Sequence, residues 1–384
     1  MRFMTFVSKN LLRRTTRSTL TAFGMAVAVG TTVALLGISD GFKRSTLSSF
    51  EGRDVDLVVL EDGSIDQLSS DVDDRVVERV KAMPGVADAA CGLLDLGAFP
   101  VGGSTLTALI QGWDPDSFLQ NALVFKEGRK LRSDDGLVAI VGFDLAGKLD
   151  KRLGDEIEIE GEPFEIVGIY DSVTPAEDSA LVVPLRELQR VKLREGRITG
   201  FSVVLDAEIA DRQTLADRVC QQISVMTDEN GKSERLSAQF TKDYIDNSTH
   251  IKMAQGMAWL TSAIAIVVGT IGMLNTMIMS VVERVREISI LRAIGWRKNR
   301  VVRMILSESL LLSVAGAVIG SVGAVVLTRF LATLPVANGI IQGPIGLHIH
   351  GFGFMMAIAV GFVGGLYPAL RASQLVPSEG LRHE

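Results

Sequence analysis

Reactive side chains are scarce in this sequence. Its 384 residues include two cysteines, Cys91 and Cys220, and four histidines, and aromatics make up only 6%. Two cysteines allow one disulfide, if their segment lies outside the cytoplasm, or else two buried free thiols; they are too few for a zinc site. His348 and His350 sit on one side of an extended segment, but two imidazoles are too few ligands to hold a metal, and none is expected. The phosphate-binding loop is incomplete. Gly142 to Lys148 matches its first seven positions, but Leu149 stands where a Ser or Thr must hold Mg²⁺. Near Gly231-Lys232-Ser233, Met226 replaces the first glycine. No Gly-x-Ser-x-Gly elbow occurs. Asn247-Ser248-Thr249 matches a glycosylation sequon by pattern alone. The chain offers no catalytic residue and no cofactor site of its own.

Basic residues are also scarce, but only in the middle. Asp40 to Lys252 holds 24 Lys/Arg against 40 Asp/Glu, while the rest holds 15 against 5. An acidic domain therefore interrupts a basic, apolar remainder. The acidic surface disfavours nucleic acid. Mean hydropathy is +0.30, and the apolar residues are concentrated in four stretches long enough to cross a bilayer. We place these spans at 18–39, 253–282, 304–328 and 351–370, with a Pro/Gly-broken loop at 331–349. Basic residues precede the first span (Lys9, Arg13, Arg14, Arg17), fill 283–303 and follow the last span, while 331–349 has none. All three basic segments share the cytoplasmic side only with four spans and both termini inside. The expected fold is an α+β membrane protein, with four transmembrane helices and a large α+β extracytoplasmic domain (40–252) between helices 1 and 2. Span one reads as a retained signal anchor rather than a cleaved peptide. Residues 1–17 form a cytoplasmic N-terminus whose Phe3, Phe6, Val7, Leu11 and Leu12 share a helical face. Residues 371–384 form a cytoplasmic tail.

Within the acidic domain, residues 54–60 alternate as a strand. A helix over 71–83 follows, and strands over 87–99 and 104–113 are joined at Val101-Gly102-Gly103. Residues 114–198 change in texture and read as an inserted lobe. They include a hairpin over 155–170, turning at Glu160–Pro163, and a helix over 184–194. A strand at 201–207 and a helix at 211–223 complete a β-α-β-β…β-α order. Residues 236–252 read as a helix continuous with the second span, forming a stalk. Gly316-x-x-x-Gly320 and Gly361-x-x-x-Gly365 let helices approach closely, either within one bundle or between copies.

Residues 283–303 carry seven Lys/Arg and two acids. Val282, Val285, Ile288, Leu291 and Ile294 recur in steps of three, which predicts an amphipathic helix in a tight loop. Such a helix lies on anionic lipid or docks into a partner's groove, and glutamates interleaved among the arginines favour the partner. Glu308, at the mouth of span three, is either a hydrogen-bonded group or part of a transmission path.

The motif Glu283-Arg284-x-x-Glu287-Ile288-x-x-Leu291-Arg292-Ala293-Ile294-Gly295 and the ending from Tyr367-Pro368-Ala369 to Pro377-x-Glu379-x-Leu381-Arg382 resemble the permease subunits of MacB/FtsX/Lol-type (type VII, mechanotransmission) ABC transporters. Residues 128–172 are also similar to that family's inserted lobe. The resemblance implies that 283–295 is a coupling helix docking into an ABC ATPase subunit. Glu283, Arg284, Glu287 and Arg292 would pair with its surface, Ile288 and Leu291 would fill its groove, and Gly295 would end the helix. It implies ATP and Mg²⁺ on that partner, a second permease copy (homo- or heterodimer), and an adaptor or membrane-fusion protein, as for stand-alone permeases of the DevC type. With 17 residues before span one, the ATPase is expected on a separate chain. The implied activity is export or extraction of a lipophilic, peptide or lipoprotein substrate across the inner (plasma) membrane. The alternative is an FtsX-like signalling subunit that switches a cell-wall hydrolase.

Overall fold

A computed structural model describes residues 15–172, 174–206, 212–227, 231, 233–332 and 345–375. The expected amphipathic N-terminus, most of the 331–349 loop and the tail from Pro377 lie outside the described residues. The chain divides into two units, Phe42–Met253 with Ala332–Gln342, and Met1–Gly41 with Ala254–Leu331 and Gly343–Glu384.

The first unit is built on a ten-stranded mixed sheet. Its strands are β1 (Leu57–Glu61), β3 (Val86–Val101), β4 (Ser104–Trp113), β5 (Val124–Gly128), β6 (Val138–Gly142), β7 (Glu156–Ile159), β8 (Glu162–Asp171), β9 (Ala180–Pro184), β11 (Gly200–Leu205) and β12 (Leu236–Phe240). The order is β12-β1-β11-β3-β4-β9-β6-β8-β5, with β7 on β8. A separate pair joins β2 (Val72–Asp73) to β10 (Arg197–Ile198). β1 shows how the sheet is buried on both faces. Leu57 and Val59 join a core with Val76, Val77 and Val80, while Val58 and Leu60 point the other way beside Phe50 and Tyr244. Around Gly102 and Gly103 the β3–β4 turn has positive φ at both residues, as a two-residue hairpin matched to strand twist requires.

Helices α2 (Arg75–Lys81), α3 (Phe143–Leu149), α5 (Leu185–Val191) and α6 (Arg212–Ser224) all feed the same apolar core. The short α4 (Pro175–Asp178) and α7 (Thr241–Asn247) complete the unit. Residues 114–198 are inserted in the chain, yet they extend the same sheet, because β4 pairs in parallel with β9 from Leu109↔Ala180 to Trp113↔Pro184. The helix expected over 71–83 starts only at Arg75, and Asp71 instead pairs with Arg194 and Arg197. Cys91 and Cys220 are free thiols. Burial, with Asp114 near one and Asp217 near the other, pushes each up to about 11.

One expectation fails. Residues 236–252 are not a helix running unbroken into the second span. LSAQF alternates and pairs with all of β1 as β12. The Thr241 hydroxyl donates to the Val55 carbonyl at 2.8 Å, starting α7 from the sheet edge. Ser248 then adopts ψ 125° and interrupts the helical path.

Among the described residues four helices are long and apolar enough to cross a membrane, and their apolar stretches make up the other unit: α1 (Thr15–Glu51), α8 (Thr249–Glu283), α10 (Lys298–Ala332) and α11 (Leu347–Ser373), with the short α9 (Val285–Ala293) between α8 and α10. The small residues are spent inside the unit. Gly316 and Gly320 of α10 lie against Met25, Ala26 and Gly30 of α1, and Gly361 and Gly365 of α11 lie against Ser313 and Ser309 of α10. A side chain at any of these four positions meets a neighbouring helix at once.

Candidate functional site, a short charged helix mounted on the third span

The α8 helix ends at Glu283 because Arg284 leaves helical geometry, with φ −111° and ψ 15°. α9 restarts at Val285 and lasts nine residues. It stops at Gly295, whose φ of +102° only glycine adopts readily. There Gly295 N–H donates to the Arg292 carbonyl at 3.1 Å and Trp296 N–H to the Leu291 carbonyl at 3.1 Å, the paired bonds that close a helix through a left-handed glycine. The Arg300 guanidinium stacks over the Trp296 ring, 4.3 Å from its centroid, at the start of α10.

Arg284 turns inward. Its Nη1 donates to both carboxylate oxygens of Glu308 on α10, at 2.9 Å each, and its Nε donates to Glu287 at 3.1 Å. The side chains of Arg284 and Glu308 are 8% and 5% exposed. Beside this pair Ile288, 1% exposed, packs in an apolar cluster with Val281, Val301, Met304 and Ile305, which Ala369 and Ala372 of α11 complete. The helix is thus fastened to α10 by one buried ion pair and one buried apolar side chain. At the same end Arg17 of α1 donates to Glu283 at 2.6 Å.

Arg284 and Ile288, expected on the docking surface, are buried within the chain. The stripe from Val282 to Ile294 is not one face, since Val282 and Ile294 are exposed. Three residues advance a helix by about 300°, so each step falls some 60° short, and the break at Arg284 resets the phase. Glu287 and Arg286 are exposed, and so is Glu283 near α9's start; Leu291 and Arg292 are half-buried. The Arg292 Nε has no hydrogen-bond partner among the described residues. The exposed large apolar residues of α9 and its end are Ile290 and Ile294, the latter 75% exposed. The step of four from Arg286 to Ile290 to Ile294 was the signal for this face.

A model of the MacB-like periplasmic core domain matches residues 18–242, and one of the FtsX-like permease C-terminal region matches residues 259–377. The chain belongs to the MacB/FtsX-like family of ABC transporter permeases. It is 25% identical to the macrolide export ATP-binding/permease protein MacB of Bdellovibrio bacteriovorus, over 96% of this chain and 59% of that protein. It is 24% identical to the uncharacterized ABC transporter permease YknZ of Bacillus subtilis, over 98% and 97% of the two chains. It is 26% identical to the pyoverdine export ATP-binding/permease protein PvdT of Pseudomonas aeruginosa, over 95% of this chain and 56% of that one. The chain spans little more than half the length of the MacB and PvdT relatives. Among solved structures, the periplasmic region of MacB from Actinobacillus actinomycetemcomitans aligns with a TM-score of 0.41 at 16% identity, covering 53% of this chain and 99% of that one.

Proposed function

We propose that this chain is the membrane subunit of an ABC exporter whose ATP hydrolysis takes place on a separate cytoplasmic subunit. α9 docks into that subunit, and the motion passes through α10 to the other spans and the extracytoplasmic domain. The cargo is lipophilic, a peptide or a lipoprotein. The observation that carries this reading is the Arg284–Glu308 pair. A helix with an open face of Arg286, Glu287, Ile290 and Ile294 is fixed to a membrane span from its other face, so force on the open face moves the span. Two relatives are named as export proteins, for macrolides and for pyoverdine, which supports export over signalling.

The basic charge of 283–303 assigns α9 to the cytoplasm. The Arg17–Glu283 contact puts the start of α1 at the same end of the helical unit, consistent with a cytoplasmic N-terminus. A second permease copy and an adaptor protein complete the assembly. The test is co-purification with the ATPase subunit, comparing wild type with Arg286→Glu plus Ile290→Asp on the open face. The folded variant is expected to lose the subunit and its ATPase activity; retention of both would overturn the reading.

A further inference from the structure

On the side of the sheet away from its main core, the first unit holds a cavity of about 200 Å³. It forms because both layers around it carry small side chains. The sheet contributes Ala90 and Gly92 of β3 and Ser202 of β11, and Gly92 pairs directly with Gly200. Facing them, the last turns of α1, which belong to this unit from Phe42 onward, contribute Ser45, Thr46 and Ser49. Interiors normally pack at the density of organic crystals, and these short side chains leave space between helix and sheet. A Cβ at Gly92 would meet nothing within 4 Å. Val58, Trp113 and Leu119 give the space buried apolar walls.

The charged groups of this cavity are already paired. Two Arg53 nitrogens donate to the two Glu177 oxygens, which also accept from the Ser49 and Ser172 hydroxyls. No other charged side chain lines it among the described residues. The uncharged polar groups are not paired. Gln67, on the loop after β1, Gln111 of β4 and Ser202 are half-buried, and their side chains make no hydrogen bond among the described residues. Gln67 and Leu94 also line a second cavity, of about 230 Å³, that reaches Tyr244 and Asn247. The charged side chains there, Asp66 and His250, lie 3.2 Å from each other.

We propose that the two cavities form one site for an uncharged, extended peptide segment. An apolar side chain of the peptide occupies the space over Gly92, between Trp113 and Leu119. A cavity of roughly 150 Å³ suffices for benzene, so this one takes a Leu or Phe side chain. The neighbouring peptide groups bond to Gln67 and Gln111, because a primary amide both donates and accepts, as a peptide group does. A hydrocarbon chain offers these amides nothing. A terminal ammonium or carboxylate is disfavoured, since it would be desolvated with every opposite charge already taken. The role of such a peptide as cargo rests on the export reading; its binding does not.

The test uses the full-length permease alone in phosphatidylcholine nanodiscs. It is titrated with a blocked tripeptide, acetylated and amidated, that carries 4-bromophenylalanine between two leucines, while tryptophan emission is followed. Bromine in the cavity quenches Trp113, and saturable quenching is expected in wild type. Gly92→Val fills the open space from the strand and is expected to abolish the saturable component. Its melting temperature is expected to stay level or rise, because valine suits a strand better than glycine. Gln111→Leu reads the same site without filling it. It is expected to raise the half-saturation point at least about fivefold, as leaving a peptide group unpaired should. The same tripeptide with free termini is expected to give no saturable component. Quenching that never saturates, that survives Gly92→Val or that ignores Gln111→Leu overturns the proposal. Quenching by brominated phosphatidylcholine that Gly92→Val removes marks an acyl-chain site and overturns it as well. No ATPase subunit is needed, so a permease that keeps its ATPase partner yet shows no saturable site refutes this inference alone. Saturable binding in a permease that holds no ATPase subunit refutes only the export reading.

Discussion

Arg284 and Glu308 lie 24 positions apart in the chain, yet one guanidinium nitrogen sits 2.9 Å from both carboxylate oxygens, with both side chains almost wholly buried. The pair joins the first residue after α8 to the third turn of α10. Breaking a buried pair by removing one partner typically costs 3–5 kcal/mol, with the Glu287 contact to Arg284 setting Glu308→Gln at the low end of that range, whereas replacing both with apolar residues is often near neutral. Glu308→Gln is therefore expected to lower thermal stability in detergent by an amount near that low end. Arg284→Met with Glu308→Leu is expected to recover much of it. A loss in the double variant equal to the sum of the two single losses would show that the pair is not coupled.

Ile288 and Ile290 make a contrast two residues apart. Ile288→Ala empties a buried site and is expected to cost about 2–4 kcal/mol, read as a lower melting temperature. Ile290→Ala touches an exposed side chain and is expected to stay within about 0.5 kcal/mol of wild type. Its cost is expected to appear in binding of the ATPase subunit, measured as a weaker Kd.

Much of this was legible in the sequence, and the failures have causes. Long charge-free stretches announced the four apolar helices, and alternation with Gly102-Gly103 announced the β3–β4 hairpin. The β12 edge strand was missed because five residues of LSAQF are too few to outweigh the helical signal that follows them. The orientation of α9 was misread because a step of three was treated as a face and the break at Arg284 carries no Pro or Gly. The ion pair with Glu308 was invisible because pairing across 24 positions depends on how α8 and α10 pack. Glu308 was nevertheless marked by its place at the mouth of a span.

In the first unit Arg53 and Glu177 form the corresponding tie. Two Arg53 nitrogens donate to the two Glu177 oxygens at 2.8 and 3.1 Å, and its Nε donates to the Leu119 carbonyl at 2.9 Å. The Arg53 side chain is 5% exposed and its guanidinium lies 5.4 Å from the Trp113 ring centroid. Glu177→Ala is expected to destabilise this unit by about 3–5 kcal/mol, seen as earlier urea unfolding of Trp113 fluorescence. Unchanged unfolding would mean that Arg53 finds another acceptor.

Cys91 and Cys220 are expected to be unreactive near neutral pH. With thiol values pushed up to about 11 by burial, the thiolate fraction at pH 8 is on the order of one in a thousand. Iodoacetamide labelling of the folded protein is expected to rise roughly tenfold per pH unit between pH 8 and 10. Fast labelling at pH 7.5, or a non-reducing gel that shows an internal disulfide, would contradict this.

The most direct test of the account is amide hydrogen exchange of the permease, with and without its ATPase subunit. Exchange is expected to slow in Val285 to Arg300 when the subunit binds, to slow less in Glu308→Gln, and to stay unchanged in β3 and β4 of the first unit. Equal exchange across Val285 to Arg300 in the bound and free states would contradict the claim that α9 is the docking element.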